Sequence, residues 1–420
     1  MAPVSTHTPT LQKLLKSLRD QDLETSIEGL IFLLKRRQVR GDQCANATAH
    51  ILLQVVAKSK WQSVDRLLEL VTSAGSRLVQ AAPHEPVIGN IVRRVLGLIR
   101  DEASEDRNAD ELSESVSDLQ SLAPVAPPPT SAPARPGPTP ITRSLTMPAA
   151  GLQVSKSMFN LLSVVDTLDS YSTGASTPVS LAQNNSVHAL KSEIIDGIGE
   201  IIDEVNQADD QIAGFADIHI YPGDYILAVL PSPAVERYLI KAASRRRFTV
   251  LVASPHSQGS GAEQYSALRK KLTSAGVKMI SLSTTGLMAY MPKVSKVIFG
   301  AKAVFQNGGM LVDSGCCLAA RAAQEYSKPV IVLCGVYKFC PQDTATHISW
   351  TQLENPSSYV GYDDGETVDT IDIENTLAEY LPPEFVDVYV TNLGPQTQDH
   401  LGSIMADHYK PEEMSVQLGA

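Results

Sequence analysis

Apolar residues follow two different spacings along this chain. Between residues 9 and 100, leucine, isoleucine and valine recur at three- and four-residue intervals, which is typical of amphipathic helices in a bundle. From Ile218 onward the apolar residues form short continuous runs instead, with helical patterns between them. Alternating strands and helices predict right-handed crossovers and a parallel sheet buried on both faces. We therefore expect an α/β fold, in which an N-terminal helical domain is followed by a Rossmann-like parallel-sheet domain.

The apolar runs and the patterns between them define the elements of the second domain. The predicted strands are Tyr225–Leu230, Thr249–Ala253, Val277–Leu282, Lys296–Phe299, Pro329–Cys334 and Val386–Thr391. The predicted helices are Ala234–Arg245, Ala262–Ala275, Leu287–Val294, Gly315–Tyr326 and Leu401–Tyr409. The segment Lys296–Pro341 then combines a strand, a glycine-bearing loop, a helix and a second strand. That is the layout in which an open parallel sheet forms a ligand crevice.

Composition places the predicted domain boundaries. Residues 101–156 contain a run rich in Pro, Ala, Ser and Thr, which cannot bury enough apolar surface to offset chain entropy. We predict that 101–156 is a disordered insertion within the helical domain. Residues 1–100 are then the first part of that domain, and 157–215 supply its second part and a connecting helix. The Rossmann-like domain occupies 216–420, and a short docking helix is predicted at Ser157–Leu162.

Charge and cysteine content narrow the function classes. The net charge is -11 and the pI is about 5.3, which argues against binding to nucleic acid or to an anionic membrane. No apolar run reaches the ~20 residues that span a bilayer, and the first residues lack the pattern of a signal peptide. The Cys count is 5, an odd number, and the cysteines lack metal-ligand spacing. We expect a cytosolic protein with reduced thiols.

The predicted crevice carries few groups able to do chemistry. At Asn307-Gly308 two interpretations stay open, a ligand-contacting loop and a simple turn. Residues 259–261 lie where a phosphate cradle would sit, but the third glycine of the dinucleotide fingerprint is absent, so a tight turn is favoured. Cys316-Cys317 begins a helix, where packing is favoured over a reactive thiolate. A triad assembled from distant residues stays open. We predict no cofactor, no metal site and no catalytic residue.

Several segments are informative through their order and spacing: Leu190–Glu204, Ile218–Leu227, Gln258-Gly259, Gly300–Gly315 and Leu381–Phe385. Together they resemble the family of alpha, beta and delta regulatory subunits of the guanine-nucleotide exchange factor for translation initiation factor two. Glu85–Leu96 and Tyr337–Pro341 make the beta branch of that family the most similar.

The resemblance implies a non-catalytic regulatory and scaffolding subunit of that exchange complex. The implied partners are the delta, alpha, gamma and epsilon subunits and translation initiation factor two, chiefly its alpha subunit. The regulatory subunits would together sense phosphorylation of that alpha subunit. Neither nucleic acid nor a membrane is an implied partner.

The same fold is shared with sugar-phosphate isomerases that act on methylthioribose phosphate and ribose bisphosphate. The resemblance places Leu230 at their catalytic cysteine and Lys302 at their catalytic aspartate. Gly309 replaces an acid, and Asp313 stands in their phosphate-holding pair. Because carbonyl isomerisation requires an acid and a base within reach of the substrate, these replacements predict that the chain is not an enzyme. The alternative function is an isomerase-like metabolite-binding protein.

Partner contacts are predicted on both domains. On the helical domain they follow a turn predicted at Gly89-Asn90 and comprise Glu85, Asn90, Arg93 and Arg94. The alternative for the two arginines is surface charge that stabilises a helix. On the α/β domain, contacts with the delta subunit are predicted at Phe248, Thr249, Asn307 and Tyr389.

Overall fold

The computed structural model describes residues 11–18, 20–121, 179–254, 265–341, 351–354, 359–361, 365, 370–416 and 418. One compact unit comprises Met1–Asp106 with Val187–Ala420, and a second comprises Arg107–Ser186. Of the second unit, only the helical backbone at 107–121 and 179–186 belongs to the described residues. The turn predicted at 259–261, the docking helix predicted at Ser157–Leu162 and the Pro-rich run lie outside them.

Among the described residues, the helical domain contains six helices. They are α1 (Leu11–Ser17), α2 (Leu23–Lys35), α3 (Asp42–Lys58), α4 (Val64–Ala81), α5 (Pro86–Ser121) and α6 (Val179–Gly214). Their buried leucine, isoleucine and valine residues form one apolar core. The predicted helical periodicity is thus confirmed, because the stripes of each helix face that core.

Helix α5 does not end near residue 100, where the sequence pattern predicted its end. It continues to Ser121 and also includes Gly89 and Asn90, so the turn predicted there is wrong. The acidic stretch Asp101–Ser121 contains neither proline nor glycine, and the first proline after it is Pro124. Since nothing in that stretch interrupts the backbone hydrogen bonds, the helix runs on as a polar helix.

The α/β domain follows a short helix α7 (Ala216–His219). Its elements, in order, are β1 (Tyr225–Val229), α8 (Pro233–Ala243), β2 (Thr249–Ser254), α9 (Ser266–Ser274), β3 (Lys278–Ser283), α10 (Leu287–Tyr290), β4 (Lys296–Phe305), β5 (Met310–Asp313), α11 (Cys316–Glu325), β6 (Val330–Leu333), β7 (Phe339–Cys340), β8 (Gln352–Glu354), β9 (Asn375–Leu381), β10 (Val388–Thr391), β11 (Gly394–Gln396), α12 (Gln398–His408) and α13 (Pro411–Met414).

Six strands form the parallel part of the sheet in the order β3-β2-β1-β4-β6-β10. Both faces of this part are buried except along β3, the edge strand, which is largely half-buried or exposed. Along β1, Ile226 and Ala228 face a core that helices α8 and α9 cover, whereas Leu227 and Val229 face a core that includes α11 and α12. The predicted α/β fold with a sheet covered on both sides is confirmed.

The sheet is not parallel throughout. Beyond Phe299, β4 continues to Phe305, the chain turns, and β5 returns antiparallel to it. Strand β9 then pairs antiparallel with β5, and β8 with β9, while β11 pairs antiparallel with β10. The glycine-bearing loop predicted after Phe299 is therefore a β-hairpin, and the crevice edge of the sheet is covered by antiparallel strands.

Polar contacts join the helical domain to the α/β domain. Asp42, at the start of α3, forms an ion pair with Lys338 and accepts a hydrogen bond from the Tyr337 hydroxyl. Lys338 is only 7% exposed. The amide nitrogen of Asn90 donates to the Tyr337 carbonyl oxygen over 3.3 Å. The turn at Val336–Lys338 is thus held by two helices of the helical domain.

Candidate functional site

The crevice lies where the carboxyl ends of β1 and β4 meet. Leu230 follows β1 directly, and its backbone N–H donates to the carbonyl oxygen of Ala253 over 3.0 Å. Its φ angle is 40°, a value that a branched side chain rarely adopts. The side chain is half-buried against the core on the α11 side of the sheet. Leu230 thus presents an apolar surface on a strained backbone, and it has no group that can transfer a proton.

Lys302, on β4, has its charge matched within the chain. Its ammonium nitrogen lies 2.8 Å from a carboxylate oxygen of Asp313, at the end of β5, and both side chains are about one quarter exposed, at 26% and 28%. Lys302 sits where the β4–β5 register shifts between Ala301 and Ala303. Because the hairpin places the lysine and the aspartate side by side, each neutralises the other.

The N-terminus of helix α11 holds a carboxylate of the protein itself. Glu379 Oε1, on β9, accepts hydrogen bonds from the backbone N–H groups of Gly315 and Cys317, over 2.8 and 2.9 Å. Such N–H groups favour anions because they have no partner within the helix and lie at the positive end of its dipole. In this chain, Glu379 occupies that anion-favouring position.

The two thiols at this helix start are poor nucleophiles. Burial, and next the charge of Asp313, raise the pKa of Cys316 well above its ordinary value. Burial, followed by the carboxylate of Glu379, raises the pKa of Cys317 to about 12. The Cys317 thiol donates to the Tyr380 carbonyl oxygen over 3.3 Å. At neutral pH both thiols stay protonated, which agrees with the packing interpretation of Cys316-Cys317.

The Asn307 turn is held by bonds inside the chain. Asn307 Oδ1 accepts from the Gly309 N–H over 2.9 Å, and its amide nitrogen donates to the Tyr380 hydroxyl over 3.1 Å. The Tyr389 hydroxyl donates to the Gly308 carbonyl oxygen over 2.7 Å. A Cβ atom at Gly309 would lie 2.0 Å from the Tyr380 hydroxyl oxygen, so any other residue there would displace the tyrosine ring. These contacts favour the turn interpretation, although the Asn307 side chain remains exposed.

The predicted contact residues of the helical domain point mainly inward. Asn90 and Arg93 are 0% and 2% exposed. Arg93 donates to the Val416 carbonyl oxygen over 3.3 Å. Arg94 forms an ion pair with Glu204 of α6 over 2.6 Å, and Glu85 Oε2 accepts from the Gly41 N–H over 3.3 Å. Because α5 is continuous here, Asn90 and Arg93 are buried against other parts of the chain, Asn90 against the turn at Tyr337 and Arg93 against Val416.

The predicted contact residues of the α/β domain differ in exposure. Phe248 is 5% exposed and Tyr389 0%, so both belong to the core. Thr249, at the start of β2, is half-buried, and Asn307 is exposed. The structure does not bring the residues predicted on the two domains together into one surface. Contact with a partner stays a prediction for Thr249 and Asn307, and the buried positions of Phe248 and Tyr389 do not favour it.

The sequence analysis missed Glu379 and Tyr380, which fill the crevice from β9. The sequence analysis placed no strand or helix between Cys334 and Val386, because that stretch lacks a continuous apolar run. The available signal was strand propensity in the stretch before Pro382. High or moderate propensity is found there at Thr376, Leu377, Tyr380 and Leu381. It was too weak to show that the strand pairs with the hairpin.

Metal ligands do not cluster in the described residues: no group of three or more His, Cys, Asp or Glu side chains is placed to hold an ion. Among the helices that the structure describes, none is both long enough and apolar enough to cross a bilayer.

Fold and crevice together define a class: a two-domain α/β protein, with an N-terminal helical domain, whose crevice is filled by its own side chains. Comparison with known proteins is more specific. The chain belongs to the Initiation factor 2 subunit family, whose match spans residues 38–398. The family predicted from the sequence is therefore confirmed.

Individual relatives are similar to this protein over nearly the whole length of the chain. The protein named "Translation initiation factor eIF2B subunit beta" from Schizosaccharomyces pombe is 33% identical over 390 residues, which cover 91% of this chain and 95% of the relative. The crystal structure of eIF2B beta from Chaetomium thermophilum is 54% identical, with a TM-score of 0.70, and covers 98% of this chain and 100% of that one. The tetrameric eIF2B-beta2-delta2 complex from the same organism contains a chain that is 51% identical, with a TM-score of 0.68 and coverages of 96% and 100%.

Proposed function

We propose that this chain is a regulatory, non-catalytic subunit of the guanine-nucleotide exchange factor for translation initiation factor two, of the beta type. Its support is the similarity to proteins named as eIF2B subunit beta, which extends over more than nine tenths of the chain. The related chain in the beta2-delta2 tetramer supports a role in assembly with a delta subunit.

The observation that carries the non-catalytic part is the contact of Glu379 with the start of α11. Isomerisation of a sugar phosphate requires a site for the phosphate as well as an acid and a base. The N-terminus of α11, where backbone N–H groups could bind an anion, holds the Glu379 carboxylate instead. Lys302 and Asp313 are paired with each other, and Leu230 has no ionisable group. The crevice therefore supports the fold rather than a reaction.

The remaining partners follow from the family. We propose that the chain assembles in the cytosol with the delta, alpha, gamma and epsilon subunits. The assembled regulatory subunits would bind the alpha subunit of initiation factor two and sense its phosphorylation. A phosphate adds negative charge and strong acceptor oxygens, so it changes the free energy of docking on a charged surface. Such a change is transmitted when the docking sites are energetically coupled.

Affinity purification of the full chain from a native lysate tests the assembly. We expect the delta, gamma and epsilon subunits to co-purify in defined proportions. Recovery of the chain without them would contradict the proposed function.

A turnover assay of the purified chain with methylthioribose phosphate and ribose bisphosphate tests the alternative. We expect no product above that formed by the Lys302→Met variant, which lacks the ammonium group. Turnover that Lys302→Met abolishes would identify an enzyme and would overturn the non-catalytic assignment.

A further inference from the structure

The chain that follows α12 runs back along helix α5. We define the strap as Lys410–Val416 together with Leu418. As the strap proceeds toward its C-terminal end, its contacts move toward the N-terminus of α5: Lys410 contacts Asp101, Glu413 contacts Arg100, and Val416 contacts Arg93. At the far end, Leu418 lies beside Gly89, 4.0 Å from the position of a Cβ atom there. The strap is therefore antiparallel to α5 along about 18 Å of the helix.

Each end of the strap is fixed to a different domain. Tyr409, directly before it, is 2% exposed, and its hydroxyl donates to the Phe339 carbonyl oxygen of the α/β domain over 2.8 Å. Leu418 is 3% exposed and belongs to the core of the helical domain. The strap consequently connects the two domains along the surface of α5.

The face of α5 beneath the strap is basic. The stretch Pro86–Arg100 contains three arginines and no acidic residue. Arg94 is paired with Glu204 of α6, whereas Arg93 and Arg100 are covered by the strap. Glu413 supplies the carboxylate that balances Arg100, and its side chain is only 1% exposed. The strap thus binds this face as an acidic ligand that belongs to the chain itself.

The polar contacts of the strap are incomplete. Within the described residues, Glu413 Oε2 and Arg93 Nε are buried and have no hydrogen-bond partner. A buried polar atom without a partner reduces the net free energy of an attachment. Lys410 and Asp101 are both about half exposed, so their pair contributes little.

There is also space beside the strap. An open cavity of about 450 Å³ lies between α5, α6 and the end of α12, and Lys410 contributes to its lining. The unpartnered buried atoms and the cavity beside Lys410 make the attachment of the strap weaker than a fully hydrogen-bonded one.

We propose that the strap is an autoinhibitory segment: it masks a basic docking face of α5, formed by Arg93 and Arg100, and an acidic peptide segment of a partner displaces it. The attached strap competes with any such partner at the high effective concentration of an intramolecular ligand. Detachment exposes two guanidinium groups, which recognise carboxylates through charge-assisted hydrogen bonds. This inference does not depend on the exchange-factor assignment, because it rests on contacts within the chain.

Binding of a peptide added in trans tests the proposal. The probe is a fluorescent peptide with the sequence of residues 410–418, KPEEMSVQL, and the control peptide has both glutamates replaced by glutamine. In the full-length chain, Glu413→Gln weakens the strap, and we expect the probe to bind about tenfold more tightly than to the original chain. Glu412→Gln is the matched control, because Glu412 is exposed and the charge change is the same. It should leave binding unchanged.

Hydrogen exchange of the same variants separates local release from unfolding. In Glu413→Gln the amides of the strap should exchange faster, while those of β1 and β4 keep their protection. Adding Arg100→Gln to Glu413→Gln should abolish binding of the probe. The proposal is overturned if the probe binds all variants equally or binds none, or if strap and sheet amides exchange together.

Discussion

The ammonium group of Lys338 lies 2.9 Å from the carboxylate of Asp42, and this ion pair connects the α/β domain to the helical domain. Lys338 is nearly buried, with 8% of its side chain exposed, whereas Asp42 is 31% exposed. A lysine in such a position depends on its partner, because water can no longer solvate its charge. The junction between the domains therefore relies on electrostatic contact as well as on packing.

Removal of the Asp42 carboxylate should destabilise the protein strongly. We expect Asp42→Asn to lower the free energy of unfolding by about 3 kcal/mol, because it leaves the buried Lys338 charge without its partner. The double variant Asp42→Asn with Lys338→Met should regain part of that loss. Urea denaturation measures both effects. A double variant that is less stable than the single one would contradict this interpretation.

The same pair predicts how stability depends on pH. Burial alone would raise the pKa of Asp42, but the charge of Lys338 and the hydrogen bonds from Tyr337 and Lys338 lower it below its ordinary value of 3.8. A carboxyl with a lowered pKa stabilises the fold at pH values above 3.8, and this contribution is lost as the pH falls through the lowered value. The unfolding free energy should therefore decrease below pH 3.8, and less steeply in Asp42→Asn. Urea titrations at a series of pH values test this, and parallel curves would argue against it.

Glu379 should act as a cap for helix α11. We expect Glu379→Ala to reduce the free energy of unfolding by about 1–2 kcal/mol, because the N–H groups of Gly315 and Cys317 lose their acceptor. Glu379→Gln retains an amide oxygen and should lose less than half as much. Thermal unfolding of the two variants compares them directly. Equal losses would mean that the negative charge at the helix N-terminus, rather than the hydrogen bonds, supplies the stabilisation.

Backbone strain at Leu230 predicts an unusual ranking of variants. Leu230→Gly relieves the φ angle of 40°, whereas Leu230→Ala removes the same packing and keeps the strain. The glycine variant should therefore be more stable than the alanine variant by about 1 kcal/mol. Chemical denaturation measures the difference, and the opposite order would show that the local backbone rearranges when the side chain is shortened.

Continuous apolar runs made much of the fold predictable. Strands β1, β2 and β6 match predicted runs, because a strand buried on both faces leaves a clear apolar signature. The predicted run at Lys296–Phe299 marks only the first part of β4, which continues to Phe305, and the half-buried edge strand β3 lies within one residue of its predicted bounds. The β4–β5 hairpin was missed because β5 spans only Met310–Asp313, which is too short to show a period. The end of α5 was misplaced because a polar helix has no apolar stripe to follow.

The candidate site was harder to predict because its contacts are remote in sequence. Glu379 reaches the start of α11 from β9, more than sixty residues away along the chain by number. Arginine is usually a surface residue, but Arg93 donates to the carbonyl oxygen of Val416, which is 323 residues away along the chain. Through the resemblance, the sequence predicted that catalytic groups are missing at Leu230 and Lys302, but it could not show which side chains lie near them.

The close approach of Gly309 and Tyr380 couples these two positions. A Cβ atom at position 309 would lie 2.0 Å from the Tyr380 hydroxyl oxygen, so the tyrosine ring would have to move. That hydroxyl accepts the hydrogen bond from the Asn307 amide nitrogen, and a displaced ring would no longer hold it. A substitution at position 309 therefore also acts on the Asn307 turn, and a larger residue there calls for a compensating change at position 380.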